Sequence, residues 1–146
     1  MKFFLPLLAA LALATPAVAA CPNMGLKTKP VVFHTATGKH RYTVDVAASG
    51  EEQACGLMFR AEMPRDKGMI FPFTPPRDAS FWMENTVLPL DLIFVGPNNR
   101  VLNVAANAVP YSRAFLRSKG PAAAVIELNA GEAARIGLKP GDRVKR

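Results

Sequence analysis

The chain has 146 residues, enough for one domain and not comfortably for two. Its formal charge of +7 is dispersed rather than gathered in a block, which reads first as an ordinary solvated basic surface; in an exported chain it argues against a nucleic-acid partner, with attraction to anionic envelope surfaces as the alternative. Two Cys and two His, with no cluster at zinc-ligand spacing, exclude an ordinary zinc site.

Met1-Lys2 is a basic start, Phe3 to Ala14 an apolar run, and Ala17-Val18-Ala19 a small-x-small site. This is the pattern of a secretory signal peptide over residues 1–19, with cleavage also permitted after residue 20. The expected compartment is periplasmic or secreted. No later apolar run is long enough for a transmembrane segment. Cys21 follows Val18-Ala19-Ala20, a loose lipobox, so lipid anchoring through Cys21 is one reading. The other is a Cys21–Cys55 disulfide, which an oxidising compartment favours. Its loop of roughly thirty residues would stabilise the fold by ~3 kcal/mol in the chain-entropy model.

Residues 20–30 read as a polar, Pro-bounded arm, and residues 31–146 as a single β-rich domain. Val31-Val32-Phe33 and the alternation Tyr42, Val44, Val46 predict a hairpin about the Thr37-Gly38 turn. Ser49 with Glu52 three residues on is a capping box and predicts a short helix with Ala54, Leu57 and Met58 as its buried stripe. Met69 to Phe73 is an apolar strand ended by prolines, and Ser80 to Asn85 is the next, with Trp82 and Glu84 on one face and Phe81, Met83 and Asn85 on the other. Leu90 to Val95 is apolar on both faces except at Asp91, and Arg100 to Asn107 returns from the Gly96-Pro97-Asn98-Asn99 turn. After a basic loop, Ala123 to Leu128 places Val125 and Glu127 on one face and Ile126 and Leu128 on the other. Asn129 and Glu132 are expected to cap a second short helix, before a last strand near Val144. About eight short strands with turn signals between them predict a mostly β (α+β) fold. The architecture expected is a single compact antiparallel sandwich or barrel with two short helices.

No residues form a recognisable catalytic device. None of the Ser residues lies in G-x-S-x-G, and Ser49 is explained as a cap. Glu84, Asp91 and Glu127 could supply paired carboxylates to a glycan-acting hydrolase, an outcome that rests on their separation; the favoured reading is a solvated Glu84, with Asp91 and Glu127 hydrogen-bonded to backbone at strand ends. Met24, Met58, Met63, Met69 and Met83 are soft thioethers that suit Cu(I), although Met at apolar positions ordinarily fills core gaps. Gly56-Leu57-Met58-Phe59 with the tail Ala133 to Val144 is faintly similar to the carboxylate-binding loop and helix–turn–strand of PDZ domains, a peptide-binding alternative. Binding is the better-supported class. Trp82 among polar neighbours is either a stacking platform, with Glu84, Asn85 and Asp91 as hydrogen-bond partners, or a ring that fills core or covers a sheet end. Arg60 is a candidate anchor for an anion or an ion-pair partner of Asp91. No cofactor is expected, and the partner expected is a small polar ligand or a cell-envelope glycan.

Gly56-Leu57-Met58-Phe59-Arg60, Gly68-Met69-Ile70-Phe71, Phe81-Trp82-Met83-Glu84-Asn85-Thr86 and Pro89-Leu90-Asp91, with Gly137 to Val144, together resemble domain-of-unknown-function family 192, also called uncharacterised protein family 0127. The likeness spans about residues 31–145. It implies a compact, mostly β and often exported domain, and carries over no catalytic residues. Glu84 stands where Lys is common in the family, which weakens a charge-specific role there. Cys55 stands where a polar residue is common, which makes the pairing with Cys21 more attractive.

Overall fold

The computed structural model describes Cys21 and residues 23–146; the expected signal peptide lies outside the described residues. Nine strands and two helices follow in order among them. The first half holds β1 Thr28–Thr35, β2 Gly38–Val46, α1 Gly50–Cys55, β3 Lys67–Arg77 and β4 Ser80–Phe81. The second half holds β5 Leu90–Val95, β6 Val101–Ala108, β7 Leu116–Arg117, β8 Ala122–Asn129, α2 Glu132–Arg135 and β9 Arg143–Lys145.

Seven strands form one sheet in the order β6-β5-β8-β3-β2-β1-β9, and β4 and β7 form a small second sheet. Within the large sheet every pair is antiparallel except β2 and β3, which run parallel because α1 and the turn after it carry the chain back before β3 begins. The sheet curls until the β5–β6 turn meets its far edge. Val101 N–H donates to Asp142 O at 2.9 Å, and Val144 N–H to Asn99 O at 2.9 Å. The result is a half-closed barrel, mostly β with two short helices, as expected from the strand pattern.

Alternation divides the core in two. Val31, Phe33, Tyr42, Val44, Ile93, Ile126 and Leu128 pack on one face together with Val101 and Val144 from opposite ends of the curl, so this cluster fills its inside. Met69, Phe71, Phe73, Leu92, Phe94 and Val125 point the other way, and Leu57, Met63 and Met83 from the loops cover them. The central strands β5 and β8 are buried on both sides, which is why they read as continuous apolar runs. Gly68 lies where β3 threads between β2 and β8: a Cβ there would meet Glu127 O at 2.4 Å and Leu128 Cδ2 at 2.7 Å, so only glycine fits.

The local signals for α1 hold. Ser49 Oγ accepts from Glu52 N–H, and the Glu52 carboxylate accepts from Ser49 and Ala48 N–H. Those backbone donors hold Glu52 below the usual carboxylate range. The second helix differs from expectation. Its N-cap is Gly131 at φ 88°, with no side-chain cap, and the Asn129 amide instead donates to Met63 O at 2.8 Å. The expected Ser80–Asn85 strand shortens to Ser80–Phe81, because Asn85 turns the chain at φ 53°. The arm is shorter than read, since β1 begins at Thr28. β3 runs on through its prolines to Arg77, where the ladder to β8 shifts register and needs no N–H from them.

Cys21 and Cys55 form a disulfide across 34 residues, so the Cys21 sulfur is engaged by protein. The bridge ties the start of the described chain to the end of α1. The Asn23 amide donates beside it to Gly56 O at 2.6 Å and Glu52 O at 2.9 Å. Replacing both cysteines by Ala is expected to lower unfolding free energy by ~3–4 kcal/mol. Urea denaturation of the two proteins checks this, and equal midpoints would mean that the bridge constrains little.

Candidate functional site

The outer face of β8 carries one ionisable group. In the cross-strand row Met69, Glu127, Leu92, the neighbours of Glu127 are apolar on both sides. Its carboxyl is buried, makes no hydrogen bond or ion pair among the described residues, and is pushed up to about 8 by burial. Only 5% of the residue is exposed, and an acid buried this far with no protein partner is costly to keep. Here it borders a cleft of about 380 Å³ between α1 and the ends of β3 and β4.

The cleft is built by local structure already described. Gly56 ends α1 at φ 50° and lets the chain pass Phe71, whose Cζ would lie 3.3 Å from a Cβ at that position. This sets Leu57 and Met58 along one wall. Phe71, Phe73 and Phe81 supply an aromatic wall, with Phe71 and Phe81 edge to face at 5.0 Å. Trp82 and Arg77 stand at the side open to solvent, and Arg77 lies over the Phe73 ring at 4.3 Å. Thr86 and Gln53 add polar groups. An apolar, aromatic-lined cleft with a few polar groups and one perturbed acid is the general form of a small-molecule site.

Of the residues singled out in the sequence, Trp82 and Glu127 line this cleft; Glu84, Asn85, Asp91 and Arg60 do not. Trp82 is stacked on Phe115 at 5.9 Å and 6°, so one of its faces is already covered. Glu84 pairs with Arg113. Asn85 is a turn residue whose carbonyl accepts from Phe59 N–H at 2.9 Å. Asp91 is fully buried, and its carboxylate accepts from Asn107 N–H at 2.8 Å and from Ala133 N–H at 2.9 Å. It joins β6 to the start of α2 and supplies the cap that Gly131 lacks.

Arg60 pairs with Asp45 at 2.6 Å, not with Asp91, and donates to Asn23 O at 2.8 Å. These groups line a larger groove of about 750 Å³ beside the disulfide. Asn23 Oδ1 and Arg60 Nε have no partner among the described residues, but the groove borders Cys21 and Asn23, on either side of residue 22, which is not described. The cleft under Trp82 is therefore the better-defined site.

The three candidate carboxylates do not converge. Asp91 and Glu127 lie on opposite faces of the β5–β8 pair, and Glu84 is held outside the cleft by Arg113. Met63, Met69 and Met83 are core residues, whereas Met24 is exposed. Among the described residues no three of His, Cys, Asp and Glu are grouped to hold a metal. After Gly56-Leu57-Met58-Phe59 the next strand, β3, is paired on both sides, so no edge is left for a peptide in the PDZ manner.

What the sequence reading missed are Arg77, Thr86 and Gln53. The available signal was Glu127 itself, a lone acid in a strand apolar on both faces.

A family model for DUF192, described as Uncharacterized ACR, COG1430, matches residues 32–146. The chain belongs to this family. No curated protein matches it. Two of the solved structures that share the fold of this DUF192 chain are similar to it in sequence as well. One is a protein of unknown function from Novosphingobium aromaticivorans, 51% identical, with a TM-score of 0.83 over 86% of this chain and 89% of that one. The other, from Sinorhizobium meliloti, is called a "putative transcription regulator"; it is 40% identical, with a TM-score of 0.80 over 84% of this chain and 95% of that one. The family's sequence signature falls largely on structural devices: Asn85-Thr86 forms a turn in which Thr86 Oγ1 donates to Glu84 O at 3.1 Å, and Asp91 is a cap.

Proposed function

We propose that this DUF192 protein is an exported envelope domain that binds a small polar ligand, a glycan fragment or a similar donor-bearing molecule, in the cleft between Trp82 and Glu127. The observation that carries the reading is the unpartnered Glu127 carboxyl bordering an aromatic-lined cleft. A carboxyl that keeps its proton near neutral pH both donates and accepts, and a ligand hydroxyl, amide or amino group would supply the partner it lacks. Phe71, Phe81 and the uncovered face of Trp82 suit the apolar side of such a ligand. The export signal in residues 1–19 and the disulfide support an oxidising compartment. The regulator name belongs to the Sinorhizobium protein. In this chain α1 has six residues and α2 four, too short to serve as a recognition helix in a major groove.

Trp82 is the only Trp, so its emission reports on the cleft directly. Titration with a panel of N-acetylglucosamine, its oligomers and simple amino sugars is expected to give a saturable change for at least one compound. Glu127→Gln should weaken that compound by roughly 10–100-fold, the worth of a hydrogen bond to an ionisable group. A silent panel, or equal affinity in the variant, overturns the proposal.

A further inference from the structure

Six of the seven large hydrophobic side chains exposed among the described residues lie on three loops: Phe59, Trp82, Val87, Val109, Tyr111 and Phe115. Backbone hydrogen bonds lace these loops together. Phe59 N–H donates to Asn85 O at 2.9 Å, Tyr111 N–H to Thr86 O at 3.2 Å, and Met83 N–H to Ser112 O at 2.8 Å. The exposed side chains are therefore a single rim and not scattered surface residues. Two of them are also held against backbone preference: Phe59 has φ 64° and Tyr111 φ 62°, a left-handed conformation where Gly or Asn costs less. With Phe59 58% and Tyr111 61% exposed, core burial does not account for an aromatic at either place.

On the third loop the charge has one sign, while the other two carry Glu62 and Glu84. Residues 109–119 carry Arg113, Arg117 and Lys119 and no acid. The Arg117 guanidinium lies 4.9 Å from the centre of the Phe115 ring, and Arg113, although paired with Glu84, is 75% exposed. Aromatic tips flanked by cations match a lipid interface, where rings enter the headgroup–acyl boundary and cations meet anionic headgroups. A second copy of the chain would set the same cations against one another.

We propose that this aromatic–cationic rim docks the protein on the surface of an anionic lipid bilayer. The rim shares Trp82 with the cleft but stands on separate observations, and it serves whether or not Glu127 binds a ligand.

The test is flotation of the disulfide-bonded protein with phosphatidylcholine vesicles containing about 40% phosphatidylglycerol, against phosphatidylcholine alone. The protein should float with the anionic vesicles, Trp82 emission should shift to the blue, and added salt should weaken both. Phe59→Asn with Tyr111→Asn keeps Trp82 as reporter and places at both positions a residue that accepts a positive φ. It should lower partitioning about tenfold or more with thermal unfolding no worse than in the parent. Arg113→Gln with Arg117→Gln should remove most of the salt sensitivity. Failure to float, equal flotation of the double Asn variant, or a Trp82 shift that follows protein concentration without vesicles, as self-association would give, each overturns the proposal.

Discussion

Between about pH 5 and pH 8, Glu127 is expected to make the protein less stable as pH rises. In the folded chain its pKa is pushed up to about 8 by burial, while in the unfolded chain it returns to the ordinary carboxylate value near ~4.3. Below both values each state holds the proton and the group is neutral to stability. Between them the unfolded chain releases a proton that the folded chain keeps, so the unfolded state gains ~1.4 kcal/mol per pH unit. The full loss reaches at most roughly 5 kcal/mol near pH 8 and then levels off. Glu52 and Glu132 act with the opposite sign. Glu52 is held low by the Ser49 and Ala48 N–H groups, and Glu132 by Arg135 and the Tyr42 hydroxyl; their contributions are lost only as pH falls into the acid range. The window from pH 5 upward therefore isolates Glu127. Glu127→Gln keeps the shape without the ionisation, so its urea midpoint should stay level where the parent's declines, and the two should differ most near pH 9. Parallel curves would mean that the carboxyl is solvated when ionised, and the cleft would lose its distinguishing group.

Asp91→Ala is expected to destabilise the fold by ~3–5 kcal/mol, since it strips the acceptor from two backbone donors at once. One is the Asn107 N–H and the other the Ala133 N–H in the first turn of α2, and neither gains water in the substituted protein without opening a fully buried site. Asp91→Asn retains one acceptor oxygen and should cost about half as much. Denaturant unfolding gives the stabilities, and Trp82 titration on whatever remains folded gives the binding. Normal stability together with lost binding would restore Asp91 to the ligand role that its intrusion into an apolar strand first implied. The expected result is the reverse.

How much was legible follows from the range of the interactions. Ser49 and Glu52 announce the α1 cap because both partners lie within one turn. The alternation of Val31, Phe33, Tyr42 and Val44 announces the first hairpin because a strand's side chains alternate by geometry alone. The polar intruders are visible in the sequence, but their partners are not. Asp91 was visible as an acid in LDLIFV, yet its partners are 16 and 42 residues away, and nothing in those windows marks them as donors. Arg60 reads as an anion anchor or a partner of Asp91 within the signature stretch, but the hairpin strand β2 places Asp45 against it. Glu127 was set on the correct strand face, but its isolation depends on Met69 and Leu92 flanking it from two other strands.

By itself, then, the sequence determined the family, the strand-rich class, the α1 cap and the alternating core, because periodicity and capping are local properties of the chain. The tertiary structure alone decided which acid is free. Asp91, Asp45 and Glu84 are carboxylates of the same chemistry as Glu127, and each finds a backbone or side-chain donor when the sheet curls, while Glu127 is left facing a cleft with none. Only long-range packing distinguishes a satisfied buried carboxylate from an unsatisfied one.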